Sequence, residues 1–436
     1  MVIIDMIRDM IILFGKRYCR LLLMLTALCF PFLHCVADGP FRQHRYDSWR
    51  VLMPPQGAIV FVGNSITDMH NWGEAFGGNP LIVNRGNSGA VSSELLDNLD
   101  SWIGCNPSKV FVMIGTNDLG WDSCTVSVAR NIRAFVQAVH KRCPSTKVYL
   151  QSILPAYEQR NRSLSTIRET NEMIRLYADS LDYAEYIDLF DLMLPILNKE
   201  PYSLDGLHLE AYGYSLWCSR IENLVGEKSV YPANTNLIQK TAGAWGSNGM
   251  RATYFSIYPI EHDDVLFFGD EMVKNGEWNE LLPFSHIKNR GTGWGYGGSI
   301  VLTRAMVEAS FAENGVKKER PSQMIVYTGT DDINSTKPID SVKTQYINLV
   351  QRMQELAPGV PVAVLSLMPT MTPNSRIMEF NDWLREWADR EEGLTFVDIY
   401  HPLATAEGTA DTTYIRDNYL YGKGYLKVAE LLKGLE

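Results

Sequence analysis

The sequence predicts an α/β protein built as two tandem domains, each a five-stranded parallel sheet between two layers of helix. Three observations predict it. Short runs rich in Val, Ile, Phe and Tyr alternate with amphipathic helical segments, and alternating βα units imply a parallel sheet covered on both faces. The run 58–62 is wholly apolar and leads into Gly63-Asn64-Ser65. A buried parallel strand looks like this, and open α/β sheets bind ligands just past the C-terminal ends of such strands. The whole pattern then recurs in the same order, with matching positions 205 to 214 residues apart.

In chain order, the first segment reads as a secretory signal. Lys16, Arg17 and Arg20 precede an apolar run over 21–33, and Cys35-Val36-Ala37 offers small residues for cleavage before Asp38. The run is short for a membrane span of about 20 residues and contains Pro31, which argues for cleavage rather than anchoring. The lead-in over 1–15 is long for such a signal and points to a start further down, such as Met10. The expectation is an exported protein, periplasmic or secreted. The net charge of -10, with no basic run after the signal, argues against nucleic acid or an anionic membrane surface as partner.

Residues 41–56 are polar and aromatic and are expected to wrap over the first domain. Strands are expected at 58–62, 81–84, 109–114, 147–153 and 186–189. Helices are expected at 92–102, 126–141, 165–180 and 211–224. In the second of these, Val128, Ile132, Phe135, Val136 and Val139 fall at the spacing of one helix face. Residues 225–249 lose this periodicity and read as a linker. The division is thus 1–37 signal, 38–224 first domain, 225–249 linker and 250–436 second domain.

The repeat is a duplicated domain rather than a solenoid, whose period is far shorter. A-I-V-F-V-G-N-S at 58 is echoed by D-V-L-F-F-G-D-E at 264. I-V-N-R-G-N-S-G at 82 is echoed by I-K-N-R-G-T-G-W at 287, and V-M-I-G-T-N-D at 112 by V-Y-T-G-T-D-D at 326.

The first copy carries the residue types of nucleophilic catalysis. A serine hydroxyl needs a base to take its proton and an oriented base to do so. Ser65 supplies the hydroxyl, His208 the base, and Asp205 a carboxylate three residues before that base. The developing oxyanion needs donors: the Ser65 N–H, the Gly86 N–H and the Asn117 side-chain amide are the candidates. Asp118 is expected to fix the loop that carries Asn117. Asn64, Trp72 and Arg85 are candidate substrate contacts. For Trp72 and Arg85, recurrence at Trp278 and Arg290 favours a shared structural role instead.

These blocks, G-N-S-I-T at 63, N-R-G-N-S-G at 84, G-T-N-D at 115 and D-G-L-H at 205, resemble the SGNH hydrolases, or GDSL-type lipases and esterases. All four stand in that family's order over about residues 46–222. Asn64 departs from the pattern, in which Asp is commoner. The resemblance implies a flavodoxin-like sheet, a Ser-His-Asp triad and ester hydrolysis without metal or other cofactor. The subgroup it is most similar to, platelet-activating-factor acetylhydrolases and sialate O-acetylesterases, implies short acyl groups, mostly acetyl, on a small molecule or glycan. The rival readings are a short-chain lipid or thioester acylhydrolase and a non-catalytic glycan-binding protein.

The second copy keeps the frame and loses the chemistry. Glu271 stands at the nucleophile position and Asp331 at the amide position. The base block over 416–425 has no His; Tyr419 or Leu420 takes its place, while Gly291 and Asp417 remain. His262, His286 and His401 lie elsewhere in the repeat. The second copy is therefore expected to be non-catalytic, with ligand binding or a carboxylate chemistry based on Glu271 and Asp331 as alternatives. Cys105, Cys124, Cys143 and Cys218 follow the signal. A Cys105–Cys143 pair and four free thiols are both compatible with the spacing, and no C-x-x-C points to a metal.

Overall fold

The computed structural model describes residues 39–157, 161–196, 203, 205–231, 246–283, 286–293, 298–313 and 315–435. The expected signal over 1–37 lies outside the described residues, as does most of the expected linker, 232–245. Residues 44–436 form one compact unit. No described helix is long and apolar enough to cross a membrane.

The first sheet contains β1 (Ile59–Gly63), β2 (Ile82–Gly86), β3 (Lys109–Met113), β4 (Lys147–Gln151) and β5 (Ala184–Ile187) in the order β2-β1-β3-β4-β5. Every pairing is parallel. The second sheet, β6 (Val265–Gly269), β7 (Ile287–Gly291), β8 (Gln323–Tyr327), β9 (Val362–Leu365) and β10 (Leu394–Val397), has the order β10-β9-β8-β6-β7. The two orders are the same topology read from opposite edges. It is the flavodoxin-like order, whose switch point lies between the first and third strands of each copy. β1 is buried along its whole length, which explains why its sequence shows no polar alternation.

The helix Thr125–Arg142 buries Val128, Ile132, Phe135, Val136 and Val139, the apolar face read from the sequence. Leu164–Ala178 and Ala211–Val225 also match within two residues. Four expectations are refined or corrected. The single helix over 92–102 is replaced by short 3-10 turns at Ser92–Leu95, Leu99–Ser101 and Ile103–Cys105. Ser92 is drawn to Asp118, through its N–H and its hydroxyl, which fixes the segment at its first residue in a non-α geometry. The helix Gly39–Val51 runs into the segment over 41–56, and a further helix, Gly246–Ile257, starts within the expected linker. The fifth strand lies two residues earlier than expected, because Asp188 instead accepts the Asp191 N–H and caps the following turn.

The copies meet through a reciprocal contact. Arg85 of the first makes a bidentate pair with Glu280 of the second, at 2.7 and 2.8 Å. Arg290 of the second pairs with Glu74 of the first, at 2.7 and 2.5 Å. Each residue of one pair occupies the repeat position of its counterpart in the other. This is the self-complementary relation of a two-fold dimer, here within one chain. The Asn71 amide adds a bond to Asn289 O at 3.1 Å.

Candidate active site

Ser65 is the first residue of the short helix Ser65–Asp68, which begins directly beyond β1. Asn64 caps this helix: its side-chain oxygen accepts the Ile66 N–H at 3.0 Å, satisfying one of the amides that a helix start leaves unpaired. Asn117 lies in the helix Thr116–Gly120, beyond β3. The turn into it requires Gly115 at φ 124°, a conformation that glycine alone adopts readily. Ser65 and Asn117 thus flank the switch point.

His208 and Asp205 reach this point from a loop near the C-terminal end of the first copy. Ser65 Oγ lies 2.9 Å from His208 Nε2, and His208 Nδ1 lies 2.6 Å from Asp205 Oδ2. The other carboxylate oxygen, Oδ1, accepts the N–H groups of Leu207 and His208 at 2.9 and 2.7 Å. Burial pushes the Asp205 carboxyl up. The His208 imidazole and these backbone donors outweigh burial and hold it well below the ordinary carboxylate range. Asp205 is therefore ionised, fixed at both oxygens, and able to orient the ring. Gly206 keeps its loop close to the chain beyond β4: its carbonyl accepts the Tyr157 N–H at 2.9 Å, and a Cβ there would lie 2.4 Å from Tyr157 O.

The proposed donors differ in their engagement. Asn117 Nδ2 donates to Ala90 O at 3.0 Å, which fixes the amide and leaves its second hydrogen for another acceptor. The Ser65 N–H opens a helix, where no intrahelical partner exists. The expectation for Gly86 is corrected. Its N–H donates to Asn84 Oδ1 at 2.8 Å, and a Cβ at this position would lie 2.3 Å from the Asp68 N. Gly86 is glycine because the helix carrying Ser65 passes directly over β2. The second copy repeats the arrangement with Gly291 against Lys274 N.

Of the candidate substrate contacts, Asn64 is corrected, whereas Trp72 and Arg85 take the structural role that their recurrence favoured. Asn64 is buried in its cap. Trp72 stacks on Phe61 at 4.1 Å and donates to Thr67 O at 2.9 Å, as Trp278 does to Val273 O. Arg85 is committed to Glu280. All three are held inside the protein by packing or pairing. Asp118 joins the Asn117 helix to Ser92, which extends its expected role to the turn after the glycine block.

Two contributors were not found in the sequence. Asn84 Nδ2 donates to Thr67 O, Asp68 O and His70 O, each at 3.1 Å, so it holds the end of the Ser65 helix. Its repeat at Asn289, with the same three bonds, was the available signal. Thr253, in the second copy, accepts the Ala211 N–H at 3.0 Å, three residues beyond His208. Nothing in the local sequence marks that contact.

In the second copy Glu271 opens the helix Glu271–Asn275, and Asp331 lies in Thr330–Asn334. A two-stranded hairpin, Ile415–Arg416 with Tyr419–Leu420, stands where the first copy has its base loop. Asp417 and Asn418 turn it at φ 49° and 63°. Tyr419 and Leu420 both line the cleft. His401 pairs with Asp398 at 2.7 Å on the surface. The four described cysteines are free. Among the described residues, three potential metal-ligand atoms come within 4.8 Å of one another at Asp263, Asp264 and His286. These precede β6 and β7, at the end of the sheet opposite the cleft.

The family is defined by the repeated frame together with this site. The chain belongs to the GDSL-like lipase/acylhydrolase family, which matches residues 61–216 and again 274–425. It is similar to platelet-activating factor acetylhydrolase IB subunit alpha1 of Rattus norvegicus, 28% identical over 178 residues, or 38% of this chain and 74% of the relative. It is also similar to an N-acylneuraminate cytidylyltransferase of Escherichia coli, 28% identical over 122 residues, or 27% of this chain and 28% of that protein. A solved acetyl-xylooligosaccharide esterase from Geobacillus Stearmophilus is 16% identical with a TM-score of 0.34, over 41% of this chain and 97% of that one.

Proposed function

We propose that the first copy is a serine esterase that removes short acyl groups, acetyl above all, from a carbohydrate, with O-acetyl sialate as the first substrate to test. The observation that carries this reading is the continuous line from Ser65 through His208 to Asp205, at 2.9 and 2.6 Å. Ser65 Oγ attacks the ester carbonyl carbon while His208 Nε2 takes its proton. Asp205 stabilises the imidazolium so formed. The Ser65 N–H and the second Asn117 amide hydrogen receive the oxyanion. His208 then protonates the leaving alkoxide, the acyl group stays on Ser65, and water attacks it with His208 again as base. No metal or other cofactor enters these steps.

The carbohydrate acceptor rests on two kinds of support. The resemblance seen in the motifs includes sialate O-acetylesterases, and one relative is named for N-acylneuraminate. A second reading, a short-chain lipid ester, is favoured by the platelet-activating factor named in another. Both predict acetyl release and differ in the alcohol. The test is acetate release from O-acetylated sialic acid, acetylated xylooligosaccharide and an acetylated phospholipid, by wild type and Ser65→Ala. Release from the sugars that depends on Ser65 supports the proposal. Release from the lipid alone establishes the second reading, and equal release by both proteins removes the mechanism.

Export is part of the proposal and rests on the charged, apolar and small-residue order before Asp38. Cell fractionation with N-terminal sequencing of the mature chain tests it: a cytoplasmic chain retaining residues 21–37 would overturn it. The second copy is proposed to have no esterase activity, since Glu271 and Asp331 put carboxylates where a nucleophile and an oxyanion donor would be needed.

A further inference from the structure

Ser65 and His208 come from separate parts of the fold, the turn beyond β1 and a loop near the end of the first copy. Their 2.9 Å separation therefore depends on whatever holds both segments. The helix Gly246–Ile257, which leads into the second copy, touches both. The Tyr254 hydroxyl donates to Met69 O at 2.6 Å, and Arg251 Nη1 donates to the same oxygen at 3.3 Å. Met69 in turn donates its N–H to Ser65 O at 2.9 Å, closing the turn that carries the nucleophile. The Tyr254 ring also meets the Tyr214 ring edge-on, at 6.0 Å. Tyr214 lies in the helix that follows His208, and its hydroxyl donates to Ile66 O at 2.8 Å. Tyr254 is fully buried, and burial holds the proton on its hydroxyl, which keeps it a donor.

These contacts run in one direction. Arg45 and Arg251 occupy equivalent places in the two copies, since each donates to its own copy's glycine carbonyl, Gly86 O at 3.1 Å and Gly291 O at 2.8 Å. Three residues beyond them stand Ser48 and Tyr254. Ser48 turns its hydroxyl to His44 O, at 2.9 Å, within its own helix. Tyr254 instead crosses the join. In the second copy Asp270 caps the helix Glu271–Asn275 through the Met272 N–H, as Asn64 caps its counterpart. That helix receives no such bond from Ser48. A seam that only joined two copies would repeat the contact both ways, as Arg85–Glu280 and Arg290–Glu74 do. This one serves only the copy that carries Ser65 and His208.

We propose that Tyr254 is a positioning residue for the esterase reaction: through Met69 and Tyr214 it fixes the Ser65 turn against the His208 helix. The inference rests on the serine-esterase reading of the first copy. Proton transfer from Ser65 Oγ to His208 Nε2 needs the two atoms at hydrogen-bond distance, and a displacement of about 1 Å can cost about 10²-fold in rate. A brace that holds this distance without touching substrate acts on kcat and leaves KM alone. The second copy then contributes to the reaction without a triad of its own.

The test is kcat and KM on p-nitrophenyl acetate for wild type, Tyr254→Phe, Tyr258→Phe and Ser65→Ala, with thermal melting to confirm folding. Tyr254→Phe deletes one hydroxyl and keeps the ring packing. It should lower kcat by about tenfold, the rate equivalent of one buried hydrogen bond, with KM unchanged. Tyr258, the residue that follows this helix, pairs its hydroxyl with that of Tyr231 at 3.2 Å rather than with Met69 O. Tyr258→Phe should therefore lower the melting temperature comparably and leave kcat unchanged. Ser65-dependent hydrolysis in which Tyr254→Phe keeps the parent kcat, or raises KM instead, would overturn this inference alone, as would an equal loss of kcat in Tyr258→Phe. Hydrolysis that persists in Ser65→Ala would instead remove the esterase reading on which it rests.

Discussion

Arg85 and Glu280 face each other across the join between the copies, at 2.7 and 2.8 Å, with both side chains nearly inaccessible to water. Arg290 and Glu74 repeat the contact with the roles of the copies exchanged. A buried charge whose partner is removed keeps its desolvation cost and loses its compensation, a change of about 3–5 kcal/mol. Arg85→Met alone should therefore lower the urea midpoint strongly. Arg85→Met combined with Glu280→Leu should recover most of the loss, since an apolar pair of similar volume is often neutral. A double variant as unstable as the single one would contradict this account of the pair.

The triad geometry sets the next expectation. In the proposed mechanism Ser65→Ala removes the nucleophile and Asp205→Asn removes the charge that orients His208, so each should cut kcat by about 10³-fold or more. Asn117→Ala removes one oxyanion donor and should cost about 10²-fold in kcat with little change in KM. The measurement is initial rates on p-nitrophenyl acetate. A KM effect without a kcat effect in Asn117→Ala would move that residue from oxyanion to substrate contact.

Much of this was legible in the sequence, for identifiable reasons. β1 is buried on both faces, so its apolar run stood out, and the face of Thr125–Arg142 matched residue for residue because one amphipathic period decides it. Ser65, Asn117 and His208 stood out as candidates because the second copy lacks them, and the fold brings Ser65 and His208 within 2.9 Å of each other. What failed has a common cause. Gly86 was read as an oxyanion donor and is instead fixed by a contact distant in sequence, the Ser65 helix that passes over it; Trp72 and Arg85, whose recurrence favoured a structural role, are held by contacts equally hidden from local sequence, Phe61 and Thr67 around Trp72 and Glu280 on Arg85. The 3-10 turns after β2 failed likewise, since Asp118, 26 residues away, overrides local helix preference.

Thr253 ties the helix Gly246–Ile257 to the helix that follows the His208 loop. Its hydroxyl accepts the Ala211 N–H at 3.0 Å and donates to Met250 O at 2.6 Å. Ala211 opens the helix that follows the His208 loop. Thr253→Val removes both bonds without changing shape, leaves a buried N–H unpaired, and should cost about 1–3 kcal/mol. If the helix start positions His208, kcat on p-nitrophenyl acetate should fall while KM stays constant, and Thr253→Ser should restore it. A stability loss with unchanged kcat would confine Thr253 to a structural role.

Asp270 gives a prediction about stability and pH. Burial, together with the nearby Asp331 and Glu271, raises its folded carboxyl to about 8 from an ordinary value of 3.8, against hydrogen bonds from Thr330 and the Met272 N–H. Between those two values the folded chain holds a proton that the unfolded chain has released. Stability must therefore fall as pH rises through this window, at up to about 1.4 kcal/mol per pH unit from this group. Asn at this position keeps the cap and cannot ionise. Asp270→Asn should be nearly neutral at about pH 3, where both states of the parent are largely protonated, and increasingly stabilising towards about pH 8. Melting temperatures of the parent and the variant across that range decide it. The other titrating groups are common to both proteins, so a widening gap isolates Asp270, and a gap that stays constant would mean that this carboxyl ionises in the folded chain as it does in water.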